Sequence, residues 1–235
     1  MYRSGLKKPA YLLSRSADIL EKEGIRGVFI KSLLKIRSVV FSTNSALWFK
    51  KETGRDCPYI RAALDVNIDF NNSSIIQWLS DNHRKYPWFY IPEEIRSAES
   101  NRHVFAAFVH NNSIIGYIKI GIKRVYILDF DEELPLPGVT AFIYDTFILP
   151  EYRGRNIVPF ALVSTINFLR TKGIREIFCH IPRWNRASIN AFAKAGFENI
   201  RYLRFLRLFK FKFLIRDFYR ISCRMDNLFY EFHEN

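Results

Sequence analysis

The stretch from Tyr144 to Lys172, YDTFILPEYRGRNIVPFALVSTINFLRTK, constrains this chain most. Tyr144 to Leu149 is a short β-rich run that Pro150 ends. Glu151 to Asn156 makes a tight basic turn. From Ile157 the apolar residues Ala161, Leu162, Ile166 and Leu169 recur at helical spacing, and Gly173 follows the last turn. A strand that feeds straight into a helix leaves several backbone N–H groups open at the helix start. Those donors and the positive end of the helix dipole favour an anion, most often a phosphate. Arg153 and Arg155, on either side of Gly154, add charge beside them.

A second segment repeats the pattern. Ile174 to Ile181 reads as another strand, followed by Pro182-Arg183-Trp184-Asn185-Arg186-Ala187-Ser188, a helix over Ile189 to Ala195, and Gly196-Phe197. Together the two segments resemble the Gcn5-related N-acetyltransferases (GNAT). The first matches that family's acetyl-CoA motif (Arg or Gln, two residues, Gly, one residue, Gly or Ala) at Arg153, Asn156 and Val158. Asn156 and Val158 depart from it, standing where the family carries small residues, and Pro159 removes one further N–H. Asn tolerates positive φ, so Asn156 can hold the turn. The second matches the later motif at Asn185, Ser188, Lys194, Gly196 and Phe197.

The resemblance covers roughly Asn67 to Phe213 and implies an α/β fold (an α+β mixed sheet) with a pantetheine slot between two splayed strands. It implies acetyl-CoA as co-substrate, contacted by Phe147, Ile148, Arg153, Gly154, Arg155, Asn156, Ile157, Val158, Asn185, Ser188, Phe192 and Lys194. It also implies that the backbone N–H of Ile148 polarises the thioester carbonyl, whatever the side chain. The family's general acid, often a Tyr, falls on Phe192, which has no proton to give. Tyr144 and Tyr202 are the alternatives for that role. For the base, Asp145 keeps one half of an acidic pair found in some amino-sugar acetyltransferases. An Asp amid apolar strand residues is costly to bury unless paired, so an internal ion pair is the competing account. Strand alternation sets Tyr144 and Thr146 on one face and Asp145 on the other, unless a bulge resets the phase.

The remaining chain reads as follows. Residues 1–56 form a basic extension of two helices, Pro9 to Glu23 and Ile25 to Phe41; residues 57–235 form the acetyltransferase domain. The second helix carries the apolar stripe Ile25, Phe29, Leu33, Ile36 and Val40, with Lys31, Lys35 and Arg37 off it. That stripe either packs on the domain or lies on an anionic membrane surface. Leu47 to Lys51 suits either. Ala62 to Phe70 is a candidate first strand, Ser73 to His83 a helix, and Tyr86 to Tyr90 an aromatic loop that either approaches the acceptor or plugs the core. Val104 to Val109 and Ile114 to Ile122 make a hairpin at His110 to Ser113. Asp131 to Gly138 is an acidic, proline-rich loop, Glu151 and Tyr152 are exposed, and Ile200 to Phe213 is read as strands.

Charge and cysteines bound the partners. A net charge of +13 suits an anionic partner. Nucleic acid is not expected, because no nucleic-acid motif accompanies the charge. Cys57, Cys179 and Cys223 have no paired spacing, which argues against a disulfide framework or a metal site and fits a reducing cytoplasm. No run approaches the ~18 apolar residues of a membrane span. The reading is an N-acetyltransferase acting on a primary amine, with an amino sugar of cell-surface glycan synthesis as the expected acceptor, cytoplasmic and peripheral on the inner membrane face. The competing readings are a non-catalytic acyl-CoA-binding module, motivated by Phe192, Asn156 and Val158, and a nucleic-acid binder, motivated by charge alone.

Overall fold

The computed structural model describes residues 41–70, 74–82, 85–86, 103–127, 132–208, 211–216 and 220–222. The chain divides into two compact units, Met1–Thr43 with Phe205–Phe213, and Asn44–Arg204 with Leu214–Asn235. The second holds one large sheet. Its strands are β1 (Phe41–Glu52, in this unit from Asn44), β2 (Asn67–Asp69), β3 (His103–His110), β4 (Ser113–Gly121), β7 (Thr140–Ile148), β8 (Glu176–Pro182) and β9 (Glu198–Leu208, in this unit to Arg204), in the spatial order β9-β1-β8-β7-β4-β3-β2. Strands β5 (Arg124–Ile127) and β6 (Glu132–Pro135) form a separate ribbon, and β11 (Arg220–Ser222) pairs with the end of β10 (Phe211–Arg216). The α-helices among the described residues are α1 (Ile75–Asn82), α2 (Ile157–Thr171) and α3 (Arg186–Lys194).

The local chemistry explains these elements. The β3–β4 hairpin turns on Asn111 and Asn112, both at positive φ (47° and 59°), the geometry of a two-residue loop matched to strand twist. Helix α2 starts after Asn156 in the left-handed region and stops before Gly173 at φ 80°. Its Ile157, Ala161, Leu162, Ile166 and Leu169 pack on Ile118, Ile120, Ala141, Ile143, Ile177 and Cys179 of the sheet. The opposite face carries α1, whose Ile75 and Leu79 meet Phe105, Ala107 and Tyr117. Burial pushes the Cys179 thiol up, which leaves it an inert core residue.

The expected domain boundary at residue 57 moves. Residues Phe41 to Glu52 are neither the end of a helix nor part of an appendage; they form β1, inserted between β8 and β9. Its register with β8 runs from Ala46↔Pro182 to Glu52↔Glu176. Alternation explains the placement: Ala46 and Trp48 lie on one face, fully buried, and Phe49 enters the core beneath α2 on the other. Lys50 and Lys51, which read as a basic surface, are tied inward. Lys50 Nζ lies 2.6 Å from Glu176, and Lys51 Nζ donates to the Asp56 carbonyl at 3.0 Å. The segment Leu47 to Lys51 is therefore part of the sheet, and the lipid alternative does not apply to it. Both expected helices of the extension otherwise lie outside the described residues.

Three smaller expectations also shift. The first strand shrinks from Ala62–Phe70 to Asn67–Asp69, because Ala63 N–H donates instead to the Arg155 carbonyl at 3.0 Å. Glu132 to Pro135 of the acidic loop forms β6, with Arg124 and Glu133 paired across the ribbon. Of the aromatic loop, Tyr86 packs against Phe147 with centroids 4.9 Å apart, while 87–90 lie outside the described residues.

If β1 is a central strand, Trp48→Ala should cost about 3–5 kcal/mol, read as a lower urea midpoint. Tyr59→Ala, at a residue 93% exposed, should leave the midpoint nearly unchanged. Equal midpoints for the two variants would contradict the insertion of β1.

Candidate active site

Strands β7 and β8 run parallel and pair from Thr140↔Glu176 to Ile143↔Cys179, and no further. Both continue, β7 to Ile148 and β8 to Pro182, so a gap opens between them. The split coincides with a bulge. Lys119 of β4 faces Asp145, but its neighbour Ile120 faces Ile143, so Tyr144 is an extra residue in β7. Bulges bend a strand and increase its twist, and here the bend falls where β7 leaves β8.

The bulge also resets the side-chain phase. Ile143 and Thr146 share the face of Ile120 and Ile118, under α2. Asp145 and Phe147 share the opposite face with Lys119 and Tyr117. Tyr144 joins that face as well: its hydroxyl shares a 2.7 Å hydrogen bond with His103 Nδ1, and His103 is the cross-strand partner of Gly121. Regular alternation would have buried Asp145 beneath α2. Instead Tyr117 Oη donates to Asp145 Oδ2 at 2.7 Å, and Lys119 Nζ stands 3.6 Å from the same oxygen. Burial raises the Asp145 pKa above the usual carboxylate value, although the Lys119 charge and the hydrogen bond from Tyr117 oppose the shift.

At the end of β7 the backbone edge is exposed to the gap. Leu149 N–H donates to Ile115 O at 2.9 Å and so points toward β4. Successive residues of a strand point their polar groups to opposite edges, so Ile148 presents its N–H and C=O to the gap. Arg153 lies on that edge, its Nε donating to Ile148 O at 3.2 Å, with its guanidinium over the Phe147 ring. The close approach needs Gly116, which pairs with Ile148: a Cβ there would come within 2.5 Å of the Phe147 carbonyl oxygen.

Beyond β7 a short 3-10 turn, Pro150–Tyr152, leads to Gly154 at φ 77° and Asn156 at φ 56°. The Asn156 side chain makes no cap within its own helix. Its Oδ1 accepts from Lys194 Nζ of α3 at 3.1 Å, which ties the two helix ends together across the gap. The first-turn N–H groups of Ile157 and Val158 have no partner within the helix. Val158 is half-buried against the core and also lines the cleft. On the far side, Asn185 caps α3 by accepting from Ser188 N–H at 3.2 Å.

Together these residues line a cleft of about 740 Å³ that runs from Asp145, Thr146, Phe147 and Ile148, over Arg153 to Pro159, to α3. The profile of the acetyltransferase (GNAT) family matches residues 70–197. The chain belongs to this family. It is an N-acetyltransferase by fold, and no curated protein matches it. Among solved structures it is similar to a GCN5-related N-acetyltransferase from Sphaerobacter thermophilus, 11% identical over 75% of this chain and 56% of that one, with a TM-score of 0.52. A Drosophila protein aligns at 11% identity over 77% of this chain and 56% of its own, TM-score 0.50. The structure of AAC(6')-Iy in complex with the bisubstrate analog CoA-S-monomethyl-acetylneamine aligns at 18% identity over 57% of this chain and 91% of that chain, TM-score 0.44. The first two likenesses bear on the fold alone.

In this acetyltransferase, eleven of the expected cofactor residues line the cleft: Phe147, Ile148, Arg153, Gly154, Arg155, Asn156, Ile157, Val158, Asn185, Ser188 and Lys194; Asp145 lines it too. Phe192 does not. It is 3% exposed and packs edge-on against Phe197 in the core. Helix geometry is the reason: Ala187, Ser188, Ala191 and Lys194 recur at three- and four-residue spacing on the cleft face, and Phe192 is turned off it. Tyr202 lies on β9 rather than at the cleft. A hydrogen bond with Ser45, aided by Arg204 and Arg183, holds its phenol below the usual value. Tyr144 is bonded to His103 and does not line the cleft either.

Tyr152, expected to be exposed, is half-buried, lines the cleft and meets the His110 ring edge-on. Trp184, 78% exposed at the cleft wall, was not foreseen, nor were Asn190 and Ala191. The α3 residues could have been found by extending the helical spacing from Asn185. Trp184 had no periodic signal. His180 sits beside Trp48 and Phe142, with ring centroids at 6.3 and 5.9 Å. No cluster of potential metal ligands occurs among the described residues.

Saturating acetyl-CoA should raise the melting temperature, since it binds only the folded turn. Arg153→Glu, which sets a carboxylate at the Ile148 edge of the cleft, should remove that rise in a thermal-shift assay. A variant that kept the full rise would place the cofactor elsewhere.

Proposed function

We propose that the chain transfers an acetyl group from acetyl-CoA to a primary amine, with Asp145 as proton acceptor and the Ile148 N–H as the donor to the carbonyl oxygen. The observation that carries this reading is the gap between β7 and β8, with Asp145 at its near end and the open α2 N-terminus beyond. The residues fit acetyl-CoA. Open donors at Ile157 and Val158, with Arg153, Arg155 and Lys194 along the same cleft, suit a pyrophosphate. When bound, acetyl-CoA supplies an activated thioester.

The chemistry asks three things of the chain. The acceptor ammonium must lose a proton before its nitrogen can attack, and the partly accessible Asp145 carboxylate is placed to take it. The carbonyl oxygen gains negative charge as the C–N bond forms, and a fixed N–H at Ile148 stabilises that charge without reorganising. The C–S bond then breaks and the thiolate leaves. Because Phe192 is core and Tyr202 lies off the cleft, the reading assigns departure of the thiolate without a proton from either residue.

The acceptor proposed is an amino sugar, as in cell-surface glycan synthesis. Trp184 supports this choice: an exposed indole on the cleft wall offers a flat apolar face of the kind that stacks on a sugar ring, with Asn190 nearby on the same cleft. The proposed location is the cytoplasm, at the inner membrane face. It rests on the basic sequence before β1; among the described residues no helix is long and apolar enough to cross a membrane.

Asp145→Asn should lower kcat/KM about 10²–10⁴-fold and leave acetyl-CoA binding intact. A base works only when deprotonated, and the Asp145 pKa is raised. The acidic limb of the wild-type kcat/KM profile should therefore lie above the ordinary Asp value of 3.8, with activity lost as pH falls through it. A variant with wild-type rates would remove Asp145 from the chemistry. Separately, Trp184→Ala should raise KM for an amino-sugar acceptor about tenfold while sparing a simple alkylamine, since aromatic contacts contribute ~0.5–1.5 kcal/mol beyond area burial. Equal effects on both acceptors would argue against sugar stacking.

A further inference from the structure

Lys119 is 1% exposed, a lysine set into the middle of the central sheet. Ionised lysines are rarely buried without a partner, since desolvation of an ammonium costs several kcal/mol. Its partner is Asp145, at 3.6 Å, and its ammonium also lies over the Tyr117 ring at 5.3 Å. The cross-strand register Lys119↔Asp145 fixes the pair, and it exists only because Tyr144 is bulged out. Lys119 does not itself line the cleft. A lysine serving the fold alone would be replaceable by an apolar residue of similar length, like its strand neighbours Ile118 and Ile120.

We propose that Lys119 is a positioning residue for the transfer reaction, whose buried charge, together with the Tyr117 hydroxyl, holds the Asp145 carboxylate ready for the acceptor amine. Both contacts fall on Oδ2. The groups that act on the carboxylate are Tyr117 and Lys119 on β4 and the Thr146 N–H on β7; Tyr144, bonded to His103 of β3, shares the same face of the sheet. Lys119 is the one whose charge directly opposes the effect of burial on Asp145. It has a second consequence. A fixed cation beside the reaction centre disfavours the charged form of the incoming amine, so the same residue favours both the ionised base and the neutral nucleophile.

This inference rests on Asp145 being the base, and the test separates the two. Lys119→Met keeps length and removes charge. Loss of an opposite charge at this distance raises a carboxylate pKa by about 1–3 units. The acidic limb of kcat/KM should therefore move up by that amount in Lys119→Met and in the same direction, by less, in Tyr117→Phe. The KM for acetyl-CoA should hold. The Asp145 carboxyl titration, followed by ¹³C NMR and assigned against Asp145→Asn, should move in parallel. An unmoved titration in folded Lys119→Met overturns the inference. A titration that moves while the rate profile stays fixed overturns it through Asp145, because the carboxylate is then not the base. If Lys119→Met does not fold, Tyr117→Phe decides on the same two readouts, since it removes only a hydroxyl.

Discussion

One extra residue in β7 governs this molecule. Because Tyr144 is bulged out between Ile143 and Asp145, β7 bends away from β8 at the last paired residues, and the cleft begins there. The same insertion exchanges the faces of every residue beyond it. Asp145 leaves the α2 side of the sheet, where a carboxylate would be buried among aliphatic side chains, and joins Tyr117 and Lys119. The backbone and side-chain halves of the site thus have one cause. The Ile148 edge is open because the strands part, and Asp145 faces the acceptor side because the phase has shifted.

The sheet bears the electrostatic cost of this arrangement with buried pairs. Lys119 with Asp145 lies beside the cleft, and Lys50 with Glu176 lies where β1 pairs with the start of β8. Breaking either pair by removing one partner leaves a buried charge, which is far more costly than removing both. Strand β1 matters for the same reason. It covers the free edge of β8 along seven register positions, so that β8 splays from β7 on one side while remaining fully paired on the other. The cleft thus lies between a β8 that is paired along its length with β1 and a bulged β7.

Much of this was legible in the sequence, for identifiable reasons. The strand–turn–helix of Tyr144 to Lys172 carries its punctuation in Pro150, Gly154 and Gly173, and the turn residue Asn156 takes the positive φ that its side chain tolerates. The Asn111-Asn112 hairpin was readable for the same reason. The bulge was not. Nothing in YDTFI distinguishes a regular strand from a bulged one, because the extra residue is set by the register with β4, a property of two segments. Strand β1 was hidden because Lys50 and Lys51 look like a solvated face until their partners Glu176 and the Asp56 carbonyl, distant or irregular in sequence, are brought alongside. Phe192 was misplaced because motif offsets fix position along a helix, whereas direction follows from the facing residues Ala191 and Lys194.

The central claim is that the exposed edge of β7 and the first turn of α2 form one continuous donor surface for the acyl donor. Amide ¹H–¹⁵N shifts on titration with a non-hydrolysable acetyl-CoA analogue test it most directly. The account predicts the largest perturbations at Ile148, Ile157 and Val158, saturating together with one affinity, while the fully paired β8 amides opposite β1 move little. Saturable perturbations confined to other elements, with Ile148 and the α2 amides unmoved, would contradict it.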